Sequence, residues 1–144
     1  MMKIFRILTE RCMVIAMKFR VFNNEKKVRL EDIYIDVARY LESNSWIFSK
    51  QVFLKDLEER EELGCIKVDK NFYLPHLINN NIKENIVVRV DNFEDDILFI
   101  LIKENDKEAE DKAKNIVRNL LIENKRNIIL NSNKKKFEEI SKYV

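Results

Sequence analysis

"ILFILI", residues 97–102, is apolar at every position. A strand with one face in water alternates apolar and polar side chains, so an unbroken run of this length fits a strand buried on both faces. Such a strand needs cover on each side. The run therefore decides the fold class: a central strand in a sheet with helices packed across both faces.

The neighbouring segments supply the rest of that arrangement. "NIVVRV" at 85–90 reads as a second strand. Further upstream, "CIKV" and "FYL" are short extended pieces flanking a polar turn at 69–71. "MKFRVF", from Met17, alternates as a half-buried strand should. Between these strands the period is helical. Ile33, Val37 and Leu41 form one stripe with Tyr34 and Ala38 beside it, predicting a helix near 31–43 that "SNS" at 43–45 ends. Ser49 can cap a second helix near 50–63, with Val52, Phe53 and Leu57 inward. Gly64, the only glycine, stands just past its end, where a left-handed residue often closes a helix.

Downstream of the apolar run, Ala109, Ala113, Ile116, Val117, Leu120 and Leu121 repeat with a helical period and predict a long helix near 107–123. "NIIL" at 127–130 is a short apolar piece, and a last helix starts near Lys134 with Phe137 and Ile140 inward. The order is strand, two helices, several strands, two helices. The fold class is α/β (α+β): a single domain over 17–144 with a mixed β-sheet sandwiched between helices, preceded by an N-terminal extension, 1–16, of no assignable role.

Composition bounds the function. The 144 residues are 46% hydrophobic and 36% charged with a net charge of +2, which fits a globular domain and supplies no strong field towards nucleic acid. The basic run "NKKKF" at 133–137 reads as a solvated face. A nucleic-acid-binding domain using this basic turn is the weakest functional reading. Cys12 and Cys65 have neither CxxC spacing nor companion histidines, so reduced thiols in a cytoplasmic protein are expected, with no metal and no cofactor. No apolar stretch approaches the ~20 residues that span a bilayer, and Glu10 and Arg11 interrupt the apolar N-terminus, so no membrane insertion is expected. A single glycine excludes the Gly-rich loops that cradle phosphates.

What remains is "NFYLPHL", 71–77, with the chain's only proline and only histidine side by side. A lone histidine at a strand end is ordinarily a structural or surface residue. Pro75, however, fixes its own φ and stiffens the strand end, so His76 would be mounted on a rigid edge, open to solvent. Neutral imidazole is a nucleophile near pH 7 and can carry a covalent group between partners. No serine or cysteine stands in a nucleophile-elbow context, which argues against a hydrolytic triad.

The span "REELGCIKVDKNFYLPHL", 60–77, resembles the signature of the enzyme IIA family of the bacterial sugar phosphotransferase system, of the fructose, mannitol and nitrogen-regulatory type. There a helix ends in Arg-Glu-x-x-Gly, a loop and β-turn follow, and a strand delivers Ile-Pro-His-Ala. Arg60, Glu61 and Gly64 match the first part and Leu74, Pro75 and His76 the second, with no gap between. The resemblance extends from about residue 28 to the C-terminus and implies the fructose/mannitol-type enzyme IIA fold. It implies that His76 accepts a phosphoryl group from a phosphocarrier protein and passes it to an enzyme IIB domain or a regulatory protein. It also implies that Arg60, which taken alone reads as a surface arginine in the charged run 58–62, stabilises the phosphoryl charge.

Three departures accompany the match. Members that feed a sugar transporter usually have a second histidine near the start of the long helix, where an ungapped comparison puts Glu110. Cys65-Ile66 and "VDKN" replace a glycine-rich loop, and Tyr73 and Leu77 replace small residues. A carboxylate at 110 would favour imidazolium at His76 and repel a phosphoryl group. Alternatively, Glu110 faces solvent in the first helical turn, where an acid suits the helix dipole. The departures point to a diverged or regulatory member, with a non-catalytic regulatory domain belonging to or acting on a transcription regulator as the alternative.

Overall fold

A computed structural model describes residues 17–64 and 66–140. The extension 1–16 and both cysteines lie outside the described residues. Within these residues, six strands form one mixed sheet: β1 (Met17–Asn23), β2 (Lys67–Asp69), β3 (Phe72–Tyr73), β4 (His76–Asn79), β5 (Asn85–Asp91) and β6 (Asp96–Lys103). β6 carries "ILFILI" and is central, as its unbroken apolar run requires. It pairs antiparallel with β5 on one side and parallel with both β3 and β4 on the other. β1 pairs parallel with β5 at one edge of the sheet, and β2 pairs antiparallel with β3 at the other.

Among the described residues, five helices cover the two faces: α1 (Leu30–Ser43), α2 (Lys50–Glu62), α3 (Lys107–Leu120), α4 (Glu123–Asn131) and α5 (Lys134–Glu139). The strand period divides the apolar residues of β6 between the two layers. Ile97, Phe99 and Leu101 join Ile33, Val37, Leu41, Phe53 and Leu57 of α1 and α2. Leu98, Ile100 and Ile102 join Ala113 and Ile116 of α3, Ile129 of α4 and Phe137 of α5. Each cluster removes an apolar helix face and a sheet face from water together, which is the main stabilising term.

Local chemistry sets the helix ends. Ser49 Oγ accepts from the Val52 N–H at 3.2 Å, and Asp106 Oδ1 accepts from the Ala109 N–H at 3.1 Å. Gly64 has φ +71° just beyond α2 and donates its N–H to the Glu61 carbonyl at 2.9 Å, closing the helix as expected.

Three expectations need correction. Val52 is 44% exposed, so only Phe53 and Leu57 of the three named residues face inward. Leu121 is 78% exposed, because α3 stops at Leu120 and the next residue leaves the buried stripe. "NIIL" belongs to a helix, α4, which buries only Ile129 fully and leaves Ile128 in solvent.

Candidate functional site

Pro75 explains why β3 and β4 are two strands. Both lie along the same side of β6, at Asp96–Ile97 and Ile100–Lys103 respectively, with Leu74 and Pro75 between them. Proline has no N–H to give the ladder, so pairing with β6 is interrupted there, while its carbonyl still accepts from the Ile100 N–H at 2.9 Å. The Leu74 N–H turns to the Ile66 carbonyl at 2.8 Å, which ties the loop after α2 to this break. His76 is the first residue of β4 and is level with Ile100, so it faces the α3 layer.

His76, Arg60, Ile66 and Ile78 line one depression of about 390 Å³ at the sheet edge. The structure thus brings Arg60, exposed in the last turn of α2, to the same concavity as the histidine. The imidazole is half-buried rather than open to solvent as the sequence reading expects, because Ile66 and Ile78 stand beside it. Its Nε2 is buried and has no hydrogen-bond partner among the described residues. An imidazolium needs an acceptor or water at both N–H groups, so this setting disfavours the charged ring. The His76 pKa is accordingly lowered, first by burial and then by the Arg60 charge.

Glu110 is half-buried in the first turn of α3 and is not among the residues that line the depression. Its carboxylate is nevertheless close enough to push the His76 pKa upwards. The expectation that this acid favours imidazolium is right in direction and wrong in outcome, since burial and Arg60 outweigh it.

A second group of residues escaped the sequence reading. Asn79 Nδ2 donates to Asp56 Oδ2 at 2.8 Å, fixing α2 against β4 one helical turn before Arg60. Asn81, 5% exposed, exchanges two hydrogen bonds with the Ser49 backbone, each 2.9 Å, and holds the start of the same helix. Asp56, Glu59, Arg60, Leu63, Leu77, Ile78 and Asn79 line an adjoining hollow of about 170 Å³. Burial, then Glu59, holds the Asp56 carboxyl above its ordinary value, with the Asn79 hydrogen bond opposing. The only sequence signal was the run of asparagines at 79–81, which reads simply as a turn.

The lowered pKa has a consequence for stability. Above the ordinary value of 6.5, His76 is neutral in both folded and unfolded chains and contributes nothing. As pH falls through 6.5 the unfolded chain takes up the proton first, so the folded state loses stability until its own lower pKa is passed. Urea midpoints of the wild type and His76→Gln, measured from pH 8 to pH 5, should show the wild type losing more. Parallel curves would mean that the ring pays no desolvation cost.

No protein-family model matches the sequence, and no curated protein sequence matches it either. Among solved structures, the chain is similar to the crystal structure of the nitrogen regulatory protein IIA-Ntr from Neisseria meningitidis. The TM-score is 0.60 and the identity 15%, covering 89% of this chain and 94% of that one. At that identity the likeness establishes the fold: the sandwich described above is an enzyme IIA-like fold. Among the described residues, no helix is long and apolar enough to cross a membrane.

Proposed function

We propose that this protein is a phosphohistidine carrier of the phosphotransferase-system type, or a regulatory variant of one, with His76 as the phosphoryl acceptor. One observation carries the reading: the only imidazole of the chain shares its depression with the Arg60 guanidinium, and burial and that charge lower its pKa. The neutral ring supplies a lone pair. It attacks phosphorus on the phosphohistidine of a phosphocarrier protein, a P–N bond to His76 forms as the donor's P–N bond breaks, and the donor imidazole leaves with that electron pair. Arg60 neutralises charge on the oxygens in flight, and positioning supplies most of the remaining rate. Nε2 is shielded in the resting form, so donor docking turns the ring or the other nitrogen takes the group. The acceptor in this scheme is an enzyme IIB domain or a regulatory protein, and the exchange takes place in the cytoplasm.

Labelled phosphoenolpyruvate and a complete phosphotransferase relay test the reading directly. Wild type should acquire acid-labile label, His76→Ala none, and Arg60→Ala label at least ~10-fold more slowly. Glu110→His should lengthen the phosphohistidine lifetime, because it removes a negative charge close enough to act on the His76 ring. A relay that labels its own phosphocarrier and leaves wild type blank would overturn the carrier reading.

A second reading, a non-catalytic regulatory domain belonging to or acting on a transcription regulator, draws on the Glu110 charge and on the shielded Nε2. It would stand in that blank-label case.

A further inference from the structure

Besides its β1 and β2 edges, the sheet leaves the outer side of β4 open among the described residues. On the β3/β4 side of β6, the outer neighbour of β3 is β2, whereas among the described residues no strand pairs with the outer side of β4. The ladder shows which groups face that vacancy. Pro75 O and Asn79 O accept from the Ile100 and Glu104 N–H groups at 2.9 and 3.2 Å. Parallel pairing alternates, so Leu77 and Asn79 turn both backbone groups to β6, and His76 and Ile78 turn theirs outward.

The surroundings of the vacant edge are specific. The two hollows beside it share Arg60 and Ile78 and run along β4 under the second half of α2. Leu63, 73% exposed, and Ile78 give apolar contacts there. Asp56 and Glu59 line the groove, and Glu58, Glu61 and Glu62 follow on the same helix, against Lys50, Lys55 and Arg60. Two copies pairing edge to edge would bring these carboxylates together, so charge disfavours a second copy of this chain.

We propose that the outer edge of β4 is a docking site for an extended, basic segment of a partner protein, which adds as a short strand in line with β2. Backbone bonds to His76 and Ile78 supply affinity, apolar side chains of the segment settle on Ile78 and Leu63, and its lysines or arginines meet Asp56 and Glu59. The strand lies directly beside the imidazole. The inference rests on the phosphocarrier reading only for its purpose, namely to deliver the transfer partner to His76.

The test uses the full chain, labelled for amide detection, and three capped hexapeptides: alternating lysine and valine, alternating glutamate and valine, and the lysine peptide N-methylated on alternate residues. The lysine peptide should shift and protect the His76 and Ile78 amides, binding at least ~10-fold more tightly than the other two. Ile78→Pro removes an outward donor while sparing the β6 ladder, so it should abolish binding and leave the Leu77 and Asn79 amides protected. Equal binding of the N-methylated peptide would reduce the site to a charged patch and overturn strand addition. Shifts confined to another face, or no shifts, would overturn the site itself. A dimer that forms without peptide and is lost in Ile78→Pro would assign the edge to a second copy instead. Every readout is taken without phosphate, so peptide binding alongside an unlabelled His76 would sink the carrier reading and leave the docking edge standing.

Discussion

Phe99→Ala is expected to cost the domain about 3–5 kcal/mol, the range for emptying a buried phenylalanine site. Phe99 is fully buried on β6 opposite Val88 of β5. Its ring meets Tyr34 of α1 edge-on at 5.8 Å and Phe53 of α2 at 6.0 Å, so one side chain ties the central strand to both helices of that layer. The site cannot close cheaply. β6 is held by β5 on one flank and by β3 and β4 on the other, so the sheet does not move to fill the hole. A domain of this size has roughly 5–15 kcal/mol in total, so the variant should stay folded with little margin. Its melting temperature should drop by on the order of 10 °C. Urea unfolding checks the value, and a loss below about 1 kcal/mol would show that Tyr34 and Phe53 collapse into the space.

How much of this was legible from residues depends on whether burial was periodic. "ILFILI" gives the two-layer arrangement because only a doubly covered strand tolerates apolar residues at every position. α1 and α3 follow from clean stripes that the structure buries at Ile33, Val37 and Leu41, and at Ala109, Ala113 and Ile116. α4 has no such stripe. Ile128, Ile129 and Leu130 are consecutive, so they point in three directions around the helix: Ile129 is buried in the core, Leu130 packs against it half-buried, and Ile128 is exposed. No side chain caps its start either, leaving no local signal to read.

The site divides in the same way. Arg60, Gly64, Pro75 and His76 are legible because each is a residue type with few uses, at fixed spacing. The Asp56–Asn79 pair that seats α2 beside β4 joins residues 23 apart, and no spacing rule could pair them. The half-burial of His76 was likewise invisible, since it depends on Ile66 arriving from the loop after α2. That burial reverses the expected sense of the pKa shift, so the tertiary setting rather than the motif decides which form of the ring is favoured.

Arg89 is the other residue that no pattern announced, and the penalty for stranding it should approach that of emptying the Phe99 site. It stands in the apolar strand β5 at 4% exposure. Its Nε and Nη2 donate to the two carboxylate oxygens of Asp91 at 2.8 and 3.1 Å. Nη1 donates to the Ile129 carbonyl at 3.0 Å and to Ser132 Oγ at 3.1 Å, and the guanidinium lies 4.7 Å from the Phe137 ring centre. One side chain therefore binds the sheet to the end of α4 and to α5. A buried guanidinium is tolerable only while its carboxylate and acceptors remain. Asp91→Ala strands the charge and should cost about 3 kcal/mol, the lower end for breaking a buried pair, because Asp91 itself is partly open to water. Arg89→Met removes the charge together with its desolvation cost and keeps most of the volume, so it should cost less than Asp91→Ala despite losing more hydrogen bonds. Urea unfolding of the two variants orders them. If Arg89→Met is the more damaging, the bonds to α4 and the contact with Phe137 hold this corner together, and the pairing with Asp91 is secondary.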